Sequence, residues 1–138
     1  MKKELENKLF EKYSKILPNG RNVDMRENLM CFGFSCGDGW YNILDTLFEK
    51  ICEALGEENE IIMVQVKEKF GSLRVYFDHV KGNEEIYNKI NDFISCAEYE
   101  SSITCEICGK KGELKNDTGW VSTLCKKHRK ERKEEWDG

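Results

Sequence analysis

The chain has one proline, Pro18, and two histidines, His79 and His128, among its 138 residues. No internal repeat or low-complexity tract interrupts it, so most of it is expected to be ordered. No apolar run approaches the length needed to cross a bilayer. The opening stretch MKKELENKLFEKYSKI spreads acids through an amphipathic pattern, unlike a secretory leader. No P-loop, GxSxG or HExxH is present. Asp78 and His79, as strand neighbours, would point to opposite faces and form no dyad, and no other carboxylate pair has a spacing that demands acid–base chemistry. Nor is there an excess of positive charge: 22 Lys and Arg stand against 26 Asp and Glu, a formal net charge of −4. That balance argues against non-specific wrapping of nucleic acid. These absences leave one ordinary-sized, cytoplasmic, non-enzymatic protein with no membrane partner as the expectation.

What is present is concentrated near the C-terminus. Cys105, Cys108, Cys125 and His128 form Cys-x2-Cys, a sixteen-residue gap and Cys-x2-His. Each short turn aims two side chains at one point, and the gap is long enough for a hairpin to bring the second turn opposite the first. This is how a zinc ribbon presents a tetrahedral Cys3His site. Gly109, directly after Cys108, suits a knuckle that needs a residue free to take positive φ. With all four positions filled by protein, the expected Zn2+ is structural. A redox pair is the competing reading of Cys-x2-Cys, but it would not require Cys125 and His128. Three thiolates and one Zn2+ would take the formal net charge to about −5.

The other cysteines, Cys31, Cys36, Cys52 and Cys96, lie among apolar residues and read as small buried hydrophobes. A second metal at Cys31 and Cys36 lacks partners, and a disulfide framework does not suit a cytoplasmic protein.

Periodicity supplies the layout. Leu5, Leu9, Phe10, Tyr13 and Ile16 share one helical face, with a stop near Pro18, Asn19 and Gly20. A glycine-bearing loop follows. Trp40, Ile43, Leu44, Leu47, Phe48, Ile51, Cys52 and Leu55 then make a second stripe, closed by Gly56. EIIMVQVKEKF and SLRVYFDHV read as a hairpin turning at Phe70-Gly71. Ile86, Ile90, Phe93, Ile94 and Ala97 mark a third helix, and a charged tail extends as a short helix beyond His128. The predicted fold is α+β: helices packed on a β-hairpin or small antiparallel sheet over residues 1–100, with a C-terminal zinc ribbon and charged helix over residues 101–138.

The segments CGDGW (Cys36 to Trp40), KEKFGSLRVYF (Lys67 to Phe77), TCEICG (Thr104 to Gly109) and GWVSTLC-x2-H (Gly119 to His128) resemble those of small uncharacterised bacteriophage and prophage proteins. That group shares a GDGW turn, a KFG-LR-Y hairpin and a C-terminal zinc ribbon. The resemblance covers about residues 36 to 128. It implies a viral or mobile-element origin but carries no activity with it.

Candidate binding residues follow from the hairpin. If Leu73, Val75 and Phe77 face inward, with Val64 and Val66 opposite, then Lys67, Arg74 and Tyr76 share the outer face. These supply a cation, a planar fork for phosphate and an aromatic plate. The CGDGW turn, with Trp40, feeds a helix whose amides could cradle an anion, although Asp38 would repel it and more ordinarily serves as N-cap. A solvated strand face, with Lys67 or Arg74 meeting a carboxylate, is the plainer reading. Trp40 and Trp120 are expected to pack, Trp120 across the ribbon hairpin. Trp136 either folds back or meets a partner.

The leading function is therefore a phage accessory protein that acts by binding, countering host defence by holding a nucleotide signal or a host protein. The alternative is a zinc-ribbon nucleic-acid-binding or transcription-regulatory protein using Lys126, Lys127, Arg129, Lys130, Arg132 and Lys133. Its weakness is the interleaved acids, which predict the pairs Lys127–Glu131 and Lys130–Glu134 on a solvated helix.

Overall fold

The computed structural model describes residues 1–18 and 24–137, without the side chains of residues 136 and 137. Asn19, Gly20 and the Trp136 side chain therefore lie outside the described residues. The elements, in chain order, are α1 (Lys3–Lys12), β1 (Phe34–Ser35), α2 (Tyr41–Leu55), β2 (Glu60–Lys69), β3 (Ser72–Lys81), α3 (Glu84–Ser101), β4 (Glu113–Lys115), β5 (Ser122–Leu124) and α4 (Lys126–Asp137). The architecture is α+β. Short 3-10 turns at Leu29–Phe32 and Asp38–Trp40 lead into β1 and α2.

The helical stripes bury largely as their spacing predicts, although Leu5, Cys52, Ile86 and Phe93 are only half-buried. Leu9 and Phe10 of α1, Ile43, Leu44, Leu47, Phe48, Ile51 and Leu55 of α2, and Ile90, Ile94 and Ala97 of α3 enter one core. Gly56, at φ 57°, ends α2. Asn83 starts α3, its side chain accepting from the Ile86 amide at 3.0 Å, the ordinary N-cap bond. Helix α1 stops at Lys12, short of the predicted Ile16. Tyr13 and Ile16 are still buried, because tight turns carry them into the same core.

The sheet differs from a simple antiparallel one. β2 and β3 form the expected hairpin, but β1 adds to the far edge of β2 in parallel, pairing Phe34 with Val66 and Ser35 with Lys67. Where β1 runs out, the Met63 amide donates to the Ile16 carbonyl at 2.7 Å and Asn28 Nδ2 donates to the Met63 carbonyl at 2.9 Å. On the opposite edge the Leu73 amide donates to Ser101 Oγ at 2.8 Å. Edge amides left open invite pairing with other chains, and these contacts occupy some of them.

A bulge between Met63 and Gln65 corrects the predicted inward set on β2. Ile61, Met63 and Val66 are buried, whereas Val64 is only half-buried. One extra residue opposite the partner strand shifts the alternation by one.

The β2–β3 turn takes positive φ at both central residues, 52° at Phe70 and 84° at Gly71. Two-residue hairpin turns need this backbone to match strand twist. Gly71 adopts it freely. For Phe70 the left-handed conformation costs about 1–2 kcal/mol, and its ring remains 71% exposed.

Candidate metal centre and its basic groove

Backbone bonds build the first knuckle. The Cys105 amide donates to the Lys110 carbonyl at 2.7 Å, and the Gly109 amide to the Cys105 carbonyl at 2.9 Å, with Gly109 at φ 79°. The second knuckle is the start of α4, where the Arg129 amide donates to the Cys125 carbonyl at 2.9 Å. The β4–β5 hairpin, pairing Glu113 with Leu124 and Lys115 with Ser122, joins the two. The Glu106 amide also donates to the Thr123 carbonyl at 3.1 Å.

The result gathers one donor atom each from Cys105, Cys108, Cys125 and His128 within 4.8 Å of one another. Cys108 Sγ lies 3.8 Å from Cys125 Sγ, and His128 Nδ1 lies 3.6 Å from Cys105 Sγ and 3.2 Å from Cys125 Sγ. A tetrahedral ion at usual zinc bond lengths spans about 3.8 Å between sulfurs and about 3.5 Å between sulfur and nitrogen. The four residues can therefore hold one metal ion, and no second cluster of this kind occurs among the described residues.

Burial pushes the Cys108 thiol up. Burial acts the same way on Cys125, yet the His128 amide and ring and the neighbouring sulfurs outweigh it and draw Cys125 down to about 6. A thiolate is the ligating form. His128 turns its other nitrogen, Nε2, towards Glu131, 3.9 Å away; a carboxylate behind a ligating imidazole orients the ring.

The ribbon is seated on the core through two glycine-bearing turns. The Gly39 amide donates to the Glu106 carbonyl at 2.7 Å, the Gly37 amide to Glu106 Oε2 at 2.9 Å and Trp40 Nε1 to the Thr104 carbonyl at 2.9 Å. A Cβ at position 39 would fall 2.1 Å from the Cys105 carbonyl oxygen. At the second turn, Thr123 Oγ1 donates to the Gly71 carbonyl at 2.6 Å. The CGDGW turn thus receives the first knuckle, and the Phe70-Gly71 turn receives β5.

Several expected roles change. Asp38 makes no helix cap; its Oδ1 accepts from the Lys2 amide at 2.7 Å and so ties down the chain ahead of α1. Trp40 is completely buried, so its ring does not join Lys67, Arg74 and Tyr76. Trp120 is 53% exposed rather than packed across the ribbon, with the Arg132 guanidinium 5.1 Å from its ring. Cys36 is buried and its thiol is pushed up to about 12 by that burial, whereas Cys31 and Cys52 are half-buried and Cys96 is exposed. His79 stacks on Tyr87 at 3.6 Å.

The hairpin brings Lys67, Arg74 and Tyr76 together on one face, with Lys67 directly opposite Arg74 and Gln65 opposite Tyr76. Lys67 Nζ sits 5.8 Å from the Tyr76 ring. Arg74 donates to Ser72 Oγ and the Leu73 carbonyl and lies 3.7 Å from Glu98.

The six tail cations separate into different classes. Arg129 is buried and structural: it donates to Asp117 Oδ1 at 2.5 Å and also to the Glu113 and Ser122 carbonyls. Lys133 shares Asp117 at 3.2 Å. Neither Lys127–Glu131 nor Lys130–Glu134 forms an ion pair among the described residues, so the predicted self-pairing of α4 is absent. Lys126 and Lys127 instead line a groove of about 610 Å³ together with Lys110, Lys111 and the Glu113–Lys115 ion pair. None of Lys110, Lys111, Lys126 and Lys127 has an ion-pair partner among the described residues. Lys110 and Lys111 carried no signal of their own in the sequence; only their place behind Cys108, matching Lys126 and Lys127 behind Cys125, could have pointed to them.

No protein-family model, curated protein or solved structure matches the chain.

Proposed function

We propose that this protein acts by binding rather than by catalysis, and that zinc at Cys105, Cys108, Cys125 and His128 holds together a groove for the phosphate backbone of nucleic acid. The observation that carries this reading is the pair of Lys-Lys steps. Lys126 and Lys127 lie between Cys125 and His128, and Lys110 and Lys111 follow Cys108 after one glycine, so whatever joins the knuckles also brings these four lysines to one groove. Four ammonium groups without an ion-pair partner among the described residues, in a groove whose one lining carboxylate, Glu113, is paired with Lys115, favour a polyanion. The distribution of charge supports it: residues 101–138 carry nine cations against seven acids, while residues 1–100 carry 13 against 19. An acidic core confines contact with a polyanion to the ribbon. Zinc suits the donor set, because soft thiolate and imidazole ligands in a tetrahedron favour this borderline-soft ion. Four protein ligands leave no position for a substrate, which supports a structural role.

A second reading is an anti-defence protein that acts by sequestering a host protein or a nucleotide signal, the latter on the hairpin. The Lys67–Tyr76 contact supports it. It is the less favoured of the two because Trp40 is buried and Arg74 already has three partners.

The test is affinity for nucleic acid across a salt series. Contact with about four phosphates predicts a log–log slope of about −3 to −4. Joint Lys126→Gln and Lys127→Gln changes should reduce that slope by about 2. No binding, or binding unaffected by the double change, would refute the proposal.

A further inference from the structure

Two features of the β2–β3 hairpin work against its own stability. Phe70 holds a left-handed backbone that favours glycine or asparagine, and its ring gains little packing in return. Lys67 sits directly across from Arg74, and like charges in that position repel. Of the two, only Arg74 has an ion-pair partner among the described residues. Strain at an exposed position points to a partner outside the chain.

The surroundings say what kind of partner. Three exposed aromatic rings each carry a cation: Tyr76 with Lys67, Phe70 with Lys69 at 5.5 Å, and Trp120 with Arg132. Lys67 and Tyr76 share the outer hairpin face with Lys69 and Ser72, a run of about 13 Å from Tyr76 to Ser72. The run ends at Phe70. The next residue, Gly71, lies against Val121, since a Cβ there would be 3.1 Å from Val121 Cγ1. Trp120 precedes Val121 and Phe70 precedes Gly71, so each exposed aromatic is the chain neighbour of a residue at the contact between hairpin tip and ribbon. A protein partner would have to bury Lys67 and Lys69 along with the rings, and interface centres are depleted of lysine. Alternating rings and cations instead match unpaired bases on a phosphate chain.

We propose that Phe70 and Trp120 are stacking platforms for unpaired bases, so that the nucleic acid taken by this protein is single-stranded. The inference rests on the phosphate-binding reading of the ribbon and names its substrate class.

The experiment compares metal-loaded full-length protein with its Phe70→Asn and Trp120→Ala variants. The probes are oligothymidylate, oligouridylate and a mixed-sequence duplex, all of about 20 nucleotides, longer than the sites single-strand binders use. Single strands should bind about tenfold tighter than duplex. Phe70→Asn should weaken single-strand binding about tenfold, leave duplex binding unchanged and raise the melting temperature, since asparagine accepts the turn. A purely structural Phe70 would lower the melting temperature and move no affinity. Trp120→Ala should weaken single-strand binding in the same sense. Preference for the thymidine or the uridine strand assigns DNA or RNA, and either supports the proposal. Equal binding of single strand and duplex, with Phe70→Asn silent, overturns the stacking proposal while the lysine groove stands. Loss of all binding, in wild type as well, overturns both.

Discussion

The Gly39 amide and the Glu106 carbonyl meet at 2.7 Å, so that the turn before α2 and the turn between the first two metal ligands share one backbone contact. Glycine at 39 is required by proximity rather than by φ, since any Cβ there would enter the Cys105 carbonyl.

Gly39→Ala should therefore force the knuckle away from the core. A misfit of this kind typically costs about 1–3 kcal/mol. Denaturant unfolding should report that loss, and a competitive chelator titration should show weaker metal binding, because the displaced backbone carries Cys105. Unchanged metal affinity would separate the ribbon's geometry from its seat.

Removing the metal, or substituting Cys125→Ser, should release the ribbon. Structural zinc contributes on the order of 10 kcal/mol in small modules. Limited proteolysis should then cut within residues 101–138 first, while α1, α2 and the β2–β3 hairpin resist longer. The four groove lysines should lose their common ligand in the same preparation.

Arg129 should behave differently from its charged neighbours. Arg129→Met removes the bonds to Asp117 and to the Glu113 and Ser122 carbonyls, and losing hydrogen bonds from a buried charged donor costs about 1.5–3 kcal/mol. Lys130→Met, on the same helix but without an ion-pair partner among the described residues, should change stability by less than about 0.5 kcal/mol. Thermal melts of the two variants provide the comparison.

The Tyr13–Asp45 contact, 2.5 Å between Tyr13 Oη and Asp45 Oδ1, makes stability depend on pH at both extremes. Burial acts to raise the Asp45 carboxyl, but hydrogen bonds from Tyr13 and Lys12 outweigh it and hold it below its usual 3.8. A lowered acid stabilises the fold above its unfolded value, and that contribution disappears as pH falls below about 4. Burial, followed by the bond to Asp45, pushes the Tyr13 phenol up to about 12. That contribution is complete below pH 10 and is lost as pH rises towards 12. Tyr13→Phe should flatten the alkaline limb, and Asp45→Asn the acid limb, of melting temperature against pH.

The sequence exposes what repeats at short range. The stripes of α2 and α3 extend over several turns, and the metal quartet uses two three-residue steps, so both can be read directly. β1 has only two residues and no period to detect. The bulge at Val64 leaves no mark in composition. The glycines of CGDGW suited an anion cradle as well as a close approach, and the deciding group, Glu106, lies 69 residues from Gly37. Arg129 looks like any other cation in a charged tail until β4 and β5 close around it. Phe70 was placed at the turn, but an aromatic there contradicts turn chemistry, so its positive φ could not be inferred.

That 69-residue span also bears on how the chain assembles during synthesis. While the ribbon is still inside the ribosome, the amides of Gly37 and Gly39 and the Trp40 indole N–H face a gap that only Thr104 and Glu106 can fill. The helices and hairpin can collapse first, since their contacts are nearer in sequence, and distant closures come later. Seating of the knuckles is then the final event. In a cell starved of the metal the nascent chain would stall with a formed core and an open turn, an intermediate exposed to proteases and chaperones, so metal supply would set how much finished protein accumulates.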